Sequence, residues 1–236
     1  MADVNPNQDF RFKEIMKRII PASYFVMLVY SSKHVLECEF YEWVPKMDEV
    51  FKTLSSNILY GMLALVVVYV LGFVMNNLAS NIERFLYLCG ISRPSRLVLS
   101  KGHRLSEENV KTIVADSKII VPALDAICQE QAKKIFNFAK DHVSRKDNFV
   151  EDFYYQSIIA RNLLTAHLFA AISIPLLENI KEKMLSQWFF FVVFSGVGIV
   201  LWCEWRRKNK LYAHNIFVEY LKEKNGMLKN SQNGKE

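Results

Sequence analysis

The chain has 236 residues, of which 51% are hydrophobic and 23% charged, and a net charge of +6. That charged fraction is ordinary for a soluble protein, so the apolar excess must be gathered into segments, which argues against one uniform soluble globule. Cys38, Cys89, Cys128 and Cys203 show neither metal-ligand spacing nor a disulfide framework.

Residues 1–10 are polar and read as unstructured or loosely attached, with no apolar core for a cleavable secretory signal; the first membrane helix is expected to act as an uncleaved one. Arg11, Lys13, Lys17 and Arg18 form a basic approach to the charge-free run Ile19–Ser32. Its 14 residues make a helix of about 21 Å, short of the roughly 30 Å hydrocarbon core. Snorkelling by Arg18 and Lys33 closes the gap, and Pro21 suits a first turn. The run is expected to be a first span, with an interfacial or re-entrant segment as the alternative. Residues 33–52 hold five acids against three lysines and read as an outer loop, where Tyr41 and Trp43 suit a headgroup layer.

Thr53–Ile82 carries no charged residue, and a second span is expected over 54–75. A helical pattern continues through Asn76, Asn77, Ser80, Asn81, Glu83 and Arg84 until Gly90 stops it, and Arg93–Arg96 forms a basic turn. Ser106, followed by Glu107 and Glu108, predicts a capped helix to about Lys118. Pro122 is expected to open the next helix, whose apolar face runs through Leu124, Ile127, Cys128, Gln131, Ile135, Phe138 and Ala139. A further helix starts near Asn148 and enters a third apolar run, Ile158–Leu177. After a short outer turn at 178–184, a fourth span covers 185–203, within the charge-free run Met184–Cys203, and ends at a basic stop. Residues 211–224 are expected to form a surface helix, with Tyr212, Ile216 and Tyr220 on one side, ahead of a frayed tail.

The expected fold is therefore all-α: an integral membrane protein of four transmembrane helices with a helical cytoplasmic insert, 76–157, between the second and third. The segment 1–18 and the tail 204–236 are basic. Lys and Arg number four in the N-terminal segment, three in 33–52, twelve in 83–157, two in the 178–186 turn and eight in the tail. Basic residues stay on the cytoplasmic side, so both termini and the insert are expected inside. Cys38 then lies alone outside, which denies it an intrachain disulfide.

Two polar clusters interrupt the apolar runs. Asn76, Asn77, Ser80, Glu83 and Arg84 lie on the second helix; Arg161, Asn162, Thr165 and His167 lie on the third. Charged residues inside a membrane are costly, so Arg161 and His167 should face the bundle or a wet cavity, with Asn77 or Glu83 expected to contact Arg161. The Arg-x5-His spacing resembles the signature of HEPN ribonucleases, but His167 would sit roughly 9 Å deeper than Arg161 along a membrane helix. Ala166, Ala170, Ser173, Ser195, Gly196 and Gly198 permit close helix packing. Arg206, Arg207, Lys208 and Lys210 read as membrane-surface anchors rather than a nucleic-acid patch, and Trp188–Phe191 as an interfacial belt. His34, Glu37 and Cys38 have helical metal-ligand spacing on a loop too exposed to favour it. Lys101–Arg104 lacks the features of a phosphate loop. No catalytic residue, metal or cofactor is expected.

The stretch Tyr69–Glu83 (YVLGFVMNNLASNIE), with Ile135–His142 (IFNFAKDH), Phe153–Tyr155 and Ile159–Leu163 (IARNL), resembles a widespread group of small bacterial integral membrane proteins with no assigned function. The resemblance covers about residues 15–205. It implies a bacterial inner-membrane location and a cytoplasmic helical insert, and it supplies no activity. Proteins of this build occur beside anti-phage defence genes as accessory or effector subunits, which carries such a setting here by analogy only. The leading expectation is a non-enzymatic, homo-oligomeric effector or interaction subunit that sits in the lipid bilayer, meets a soluble cytoplasmic protein and binds no nucleic acid directly. The alternatives are a channel or transporter subunit lined by Asn76, Asn77, Thr165 and His167, and a membrane-tethered HEPN-like ribonuclease.

Overall fold

Local signals explain where most helices begin and end. The computed structural model describes residues 6–37, 52, 58–100, 105–143, 148–177 and 188–233, and among these its regular structure is all helical, with no strand. The α-helices are α1 (Pro6–Glu37), α2 (Ile58–Leu88), α3 (Pro94–Leu99), α4 (Glu107–Asp116), α5 (Gln129–His142), α6 (Asn148–Leu177) and α7 (Trp188–Asn233).

Gly90 has φ +93°, a conformation that costs glycine little. The amide of Ile91 donates to the Leu86 carbonyl at 3.1 Å and that of Gly90 to Tyr87 at 3.4 Å, a Schellman closure of α2. Pro94 occupies the first turn of α3, where its missing N–H costs nothing. The Ser106 hydroxyl accepts from the Asn109 amide at 3.3 Å, and Glu107 and Glu108 follow in the first turn of α4.

Three sequence expectations are corrected. Helix α1 begins at Pro6, so 6–10 are helical rather than unstructured. Pro122 does not open a helix: a single 3-10 turn occupies Leu124–Ala126, and α5 starts after Cys128. Cys128 and Gln131 cap each other, the Cys128 amide donating to Gln131 Oε1 at 2.9 Å and the Gln131 amide to Cys128 Sγ at 3.4 Å. The fourth apolar run and the expected surface helix are one helix, α7, of 46 residues. No glycine or proline lies between Gly198 and Gly226, so nothing in the backbone stops it at the basic run.

The chain divides into two compact units. Unit 1 comprises Met1–Glu83 and Ile158–Trp205; unit 2 comprises Arg84–Ser157 and Arg206–Glu236. The sequence-defined insert, 76–157, ends with the first segment of unit 2 at Ser157 but starts earlier than Arg84, and unit 2 also takes in the tail from Arg206. Unit 2 has an ordinary apolar core: Val98, Leu99, Val110, Ile113, Ile127, Ile135, Val150, Ile216 and Phe217 are buried together. Within it, α5 packs against α3 and α4. The side of α7 that carries Tyr212, Ile216 and Tyr220 packs, with Phe217, into the core of unit 2, as an apolar stripe needs a partner.

Unit 1 has the opposite distribution. Its buried residues include Lys17, Asn162, Thr165 and His167 beside small ones, Ala22, Ala79, Ala160, Ala166 and Ala170. Its exposed residues include Val26, Met27, Leu63, Val66, Val70, Phe73, Ile172, Val193, Ile199 and Val200. A small apolar cluster joins Ala170 to Phe25, Leu28, Val29, Phe191 and Phe194. Residues 38–51 of the expected outer loop, with Cys38, the expected turn at 178–184 and Lys101–Arg104 lie outside the described residues, as do the side chains of His34, Glu37 and Trp188–Phe190.

Candidate functional site

Within unit 1, α2 and α6 bring the two polar clusters together, and α1 joins them. Arg161 donates from Nη1 to Glu83 Oε2 at 2.9 Å and from Nη2 to Asn76 Oδ1 at 3.0 Å. Its Nε reaches Asn162 Oδ1 at 3.4 Å. Asn162, 0% exposed, donates from Nδ2 to Asn76 Oδ1 at 3.1 Å and to the Lys17 backbone carbonyl at 3.2 Å. A buried guanidinium needs a counter-charge and acceptors in the plane of its fork. Glu83 supplies the first, and the two asparagines complete the second.

Helix geometry produces this arrangement. Asn76 and Glu83 are seven residues apart on α2, so they share a face two turns apart, and Arg161 is long enough to bridge them. The neighbour of Arg161 is Asn76, not Asn77, which is exposed, as is Arg84. Ser80 and Thr165 turn inward on their own helices, donating to the carbonyls of Asn76 at 3.1 Å and Arg161 at 3.0 Å.

His167 forms a second junction, between α1 and α7. Its Nε2 lies 3.0 Å from the Phe194 carbonyl and its Nδ1 2.9 Å from the Tyr24 hydroxyl. A carbonyl only accepts, so Nε2 carries a hydrogen; in the neutral ring Nδ1 then accepts from Tyr24. The imidazole stacks on Phe194, with ring centres 4.0 Å apart. Gly198 makes room for it, because a Cβ there would stand 3.1 Å from two ring atoms. Ala166 and Ala170 are fully buried and Ser173 partly so, whereas Ser195 and Gly196 are exposed. The small residues thus divide between an inward set and an outward pair.

A third contact has no counterpart in the sequence reading. A Cβ at Gly72 would stand 2.2 Å from the Arg18 backbone carbonyl oxygen, so glycine alone lets α1 come this close to α2. The approach sets the Arg18 guanidinium beside Tyr69, to whose hydroxyl Nη1 donates. Lys17, Arg18, Tyr24 and Tyr69 are all missing from the sequence-predicted site. The one legible signal is Gly72, a lone glycine inside an apolar helical run.

The basic residues after Trp205 belong to unit 2 and make protein contacts there. Arg206 Nη1 donates to the Ser92 carbonyl at 2.8 Å, and Lys208 Nζ to Gln156 Oε1 at 2.6 Å. Arg207 is exposed and Lys210 half-buried. Elsewhere in unit 2, Asp116 accepts from Tyr220 at 2.9 Å and from Lys224. Burial alone would raise its pKa, but the hydrogen bonds from Lys224 and Tyr220 and the charge of Lys224 outweigh this and hold it below the usual carboxylate range. Burial, the hydrogen bond to Asp116 and its charge push the Tyr220 phenol up to about 12.

Chemically, the clasp around Arg161 is a balanced set of donors and acceptors, and the His167 junction is likewise filled. Among the described residues, no group of three or more His, Cys, Asp and Glu side chains is placed to hold a metal ion. Comparison with family models, with curated proteins and with solved structures gives no match to this chain.

Proposed function

We propose that the chain is a four-span protein of the bacterial inner membrane, with both termini cytoplasmic, and that it works without catalysing a reaction. In this reading it is an oligomeric effector or interaction subunit whose unit 2 receives a soluble protein. The observation that carries the reading is the inverted polarity of unit 1. Soluble proteins rarely expose large contiguous apolar surfaces, whereas lipid accepts them and drives ionisable groups inward. Among the described residues, all but four of the exposed large hydrophobic side chains belong to unit 1.

Helix α2 strengthens the case. Gly61–Leu88 has a mean hydropathy of 2.1 in its most apolar window and is, among the described residues, the one helix long and apolar enough to cross a membrane. A core helix of a soluble protein passes the same test but is mostly buried, whereas 17% of this window is buried. The other three spans rest on the charge-free runs Ile19–Ser32 and Met184–Cys203, on the apolar run Ile158–Leu177, which holds Arg161 and His167, and on exposed apolar side chains such as Val26, Ile172 and Val193.

The non-catalytic part of the reading is supported by how the polar groups of unit 1 are used. Of the residues expected to line a polar path, Asn76 accepts from Arg161 and Asn162 on α6, Thr165 donates to the Arg161 carbonyl on its own helix, His167 is held by Phe194 and Tyr24, and Asn77 is exposed. Arg161 and His167 are each committed to other partners, which gives the ribonuclease reading no support. The anti-phage setting belongs to the same proposal, and the identity of the neighbouring genes tests it.

Alkaline carbonate extraction combined with labelling of single-cysteine variants by a membrane-impermeant maleimide tests the membrane reading. The expected result is a protein that stays in the pellet, labelled at Cys38 in intact spheroplasts and at Cys128 only after permeabilisation. Release into the supernatant, or equal labelling of the two sites in intact spheroplasts, overturns it. Cross-linking in membranes, with and without the co-expressed neighbours, tests oligomer and partner; a strictly monomeric product in both cases counts against the effector role.

A further inference from the structure

The two arginines of unit 1 are held very differently. Arg161 has its fork filled by Glu83, Asn76 and Asn162. Arg18, among the described residues, makes one hydrogen bond, from Nη1 to Tyr69. Its Nη2 stands 3.9 Å from Glu14, beyond hydrogen-bonding distance, and its Nε is buried without a partner. The Glu14 carboxylate also pairs with Lys17. The Arg18 side chain is 22% exposed.

The surroundings of Arg18 are apolar and face outward. Its guanidinium carbon lies 5.1 Å from the Tyr69 ring centre and 5.4 Å from that of Phe73, and both residues are exposed. These rings flank Gly72, the notch that brings α1 onto α2. On the membrane reading, upon which this inference rests, Arg18 begins the first span at the inner leaflet. That leaflet carries anionic lipids, which attract cations near the surface. A phosphodiester offers Arg18 Nη2 an anionic acceptor at hydrogen-bonding distance, which Glu14 at 3.9 Å does not, and its acyl chains match the exposed Tyr69–Phe73 face.

We propose that Arg18, with Tyr69 and Phe73, binds the phosphate headgroup of an anionic phospholipid of the inner leaflet. The test uses the full chain in detergent, titrated with mixed micelles of dioleoylphosphatidylglycerol or of dioleoylphosphatidylcholine, or with inorganic phosphate. Native mass spectrometry and thermal unfolding are the readouts. The expected result is saturable retention and stabilisation by phosphatidylglycerol, absent with phosphatidylcholine and with phosphate. Arg18→Gln should weaken it about five- to tenfold, the effect of one cation near an anionic surface, while Lys133→Gln in unit 2 leaves it unchanged. Tyr69→Phe and Arg18→Lys, which keep the charge, should weaken it less. They carry the test if Arg18→Gln does not fold.

Equal retention by wild type and the Arg18 and Tyr69 variants, or an equal response to the two lipids or to free phosphate, overturns the proposal. A chain that stays in the carbonate pellet while binding phosphatidylglycerol independently of Arg18 refutes the lipid site alone. A chain released by carbonate refutes the membrane reading beneath it.

Discussion

Removing either partner of the Glu83–Arg161 pair strands the other's charge in a place where side-chain exposure is only 15% for Arg161 and 20% for Glu83. A double-mutant cycle with Glu83→Gln and Arg161→Gln should therefore give a coupling of about 1–3 kcal/mol in thermal unfolding in detergent, with the double variant more stable than additivity allows. A coupling near zero would show the pair to be incidental. Asp116 in unit 2 makes a pH prediction. Its pKa is held down in the folded state, so its contribution is present above the unfolded pKa of about 4 and is lost as pH falls through the lower folded value. Acid unfolding of the wild type should steepen below about pH 4, and Asp116→Asn should flatten that limb. Tyr220 acts at the other end: its folded pKa of about 12 lies above the model 10.0, so stability falls as pH rises between these values, a limb that Tyr220→Phe should lack. At this scale the site was half legible. Arg161 and Glu83 announce themselves as charges at the edges of apolar runs, whereas Arg18 and Tyr69 are 51 residues apart and share no local pattern.

Helix packing in unit 1 turns on individual glycines with opposite demands. At Gly72 an added methyl meets backbone, which cannot rotate away, so Gly72→Ala should destabilise by about 1–3 kcal/mol or more through overpacking. At Gly198 the obstacle is the His167 ring at 3.1 Å, and Gly198→Ala should cost less, with loss of the Tyr24–His167 bond. At Gly196 nothing lies within 4 Å, so Gly196→Ala should stabilise α7 by up to about 1 kcal/mol of helix propensity. Comparing the three melting temperatures checks the order, and a destabilised Gly196→Ala would point to a neighbour from another copy. The sequence identified Gly196 and Gly198 as small, though not which of them faces inward, because α7 exposes valines and isoleucines around most of its circumference, and it did not single out Gly72. Ser106 was legible as a cap from the two glutamates after it. Cys128 was not, since a thiol is an uncommon cap and Pro122 is the stronger local signal.

Across the whole molecule, unit 2 is discontinuous in sequence, and its core depends on residues from both of its segments. A fragment of 84–157 lacks Ile216 and Phe217, both at most 3% exposed. It should show no cooperative unfolding transition, and adding a peptide of 206–236 should restore one, measured by circular dichroism and fluorescence. A cooperative transition in the fragment alone would place the core elsewhere. The all-helical character and the long apolar runs were legible because each is a local property of composition and spacing. The return of the tail into unit 2 was not, because an apolar stripe on Tyr212, Ile216 and Tyr220 does not state what covers it, and the basic run before it mimics a helix end. That return also sets an order of assembly. The ribosome delivers α3, α4 and α5 well before the C-terminal half of α7, so the apolar faces of unit 2 must wait uncovered until the last helix has emerged. A nascent chain stalled before residue 213 would be a substrate for chaperones and proteases, and damage to the end of this chain would be felt in the folding of its middle.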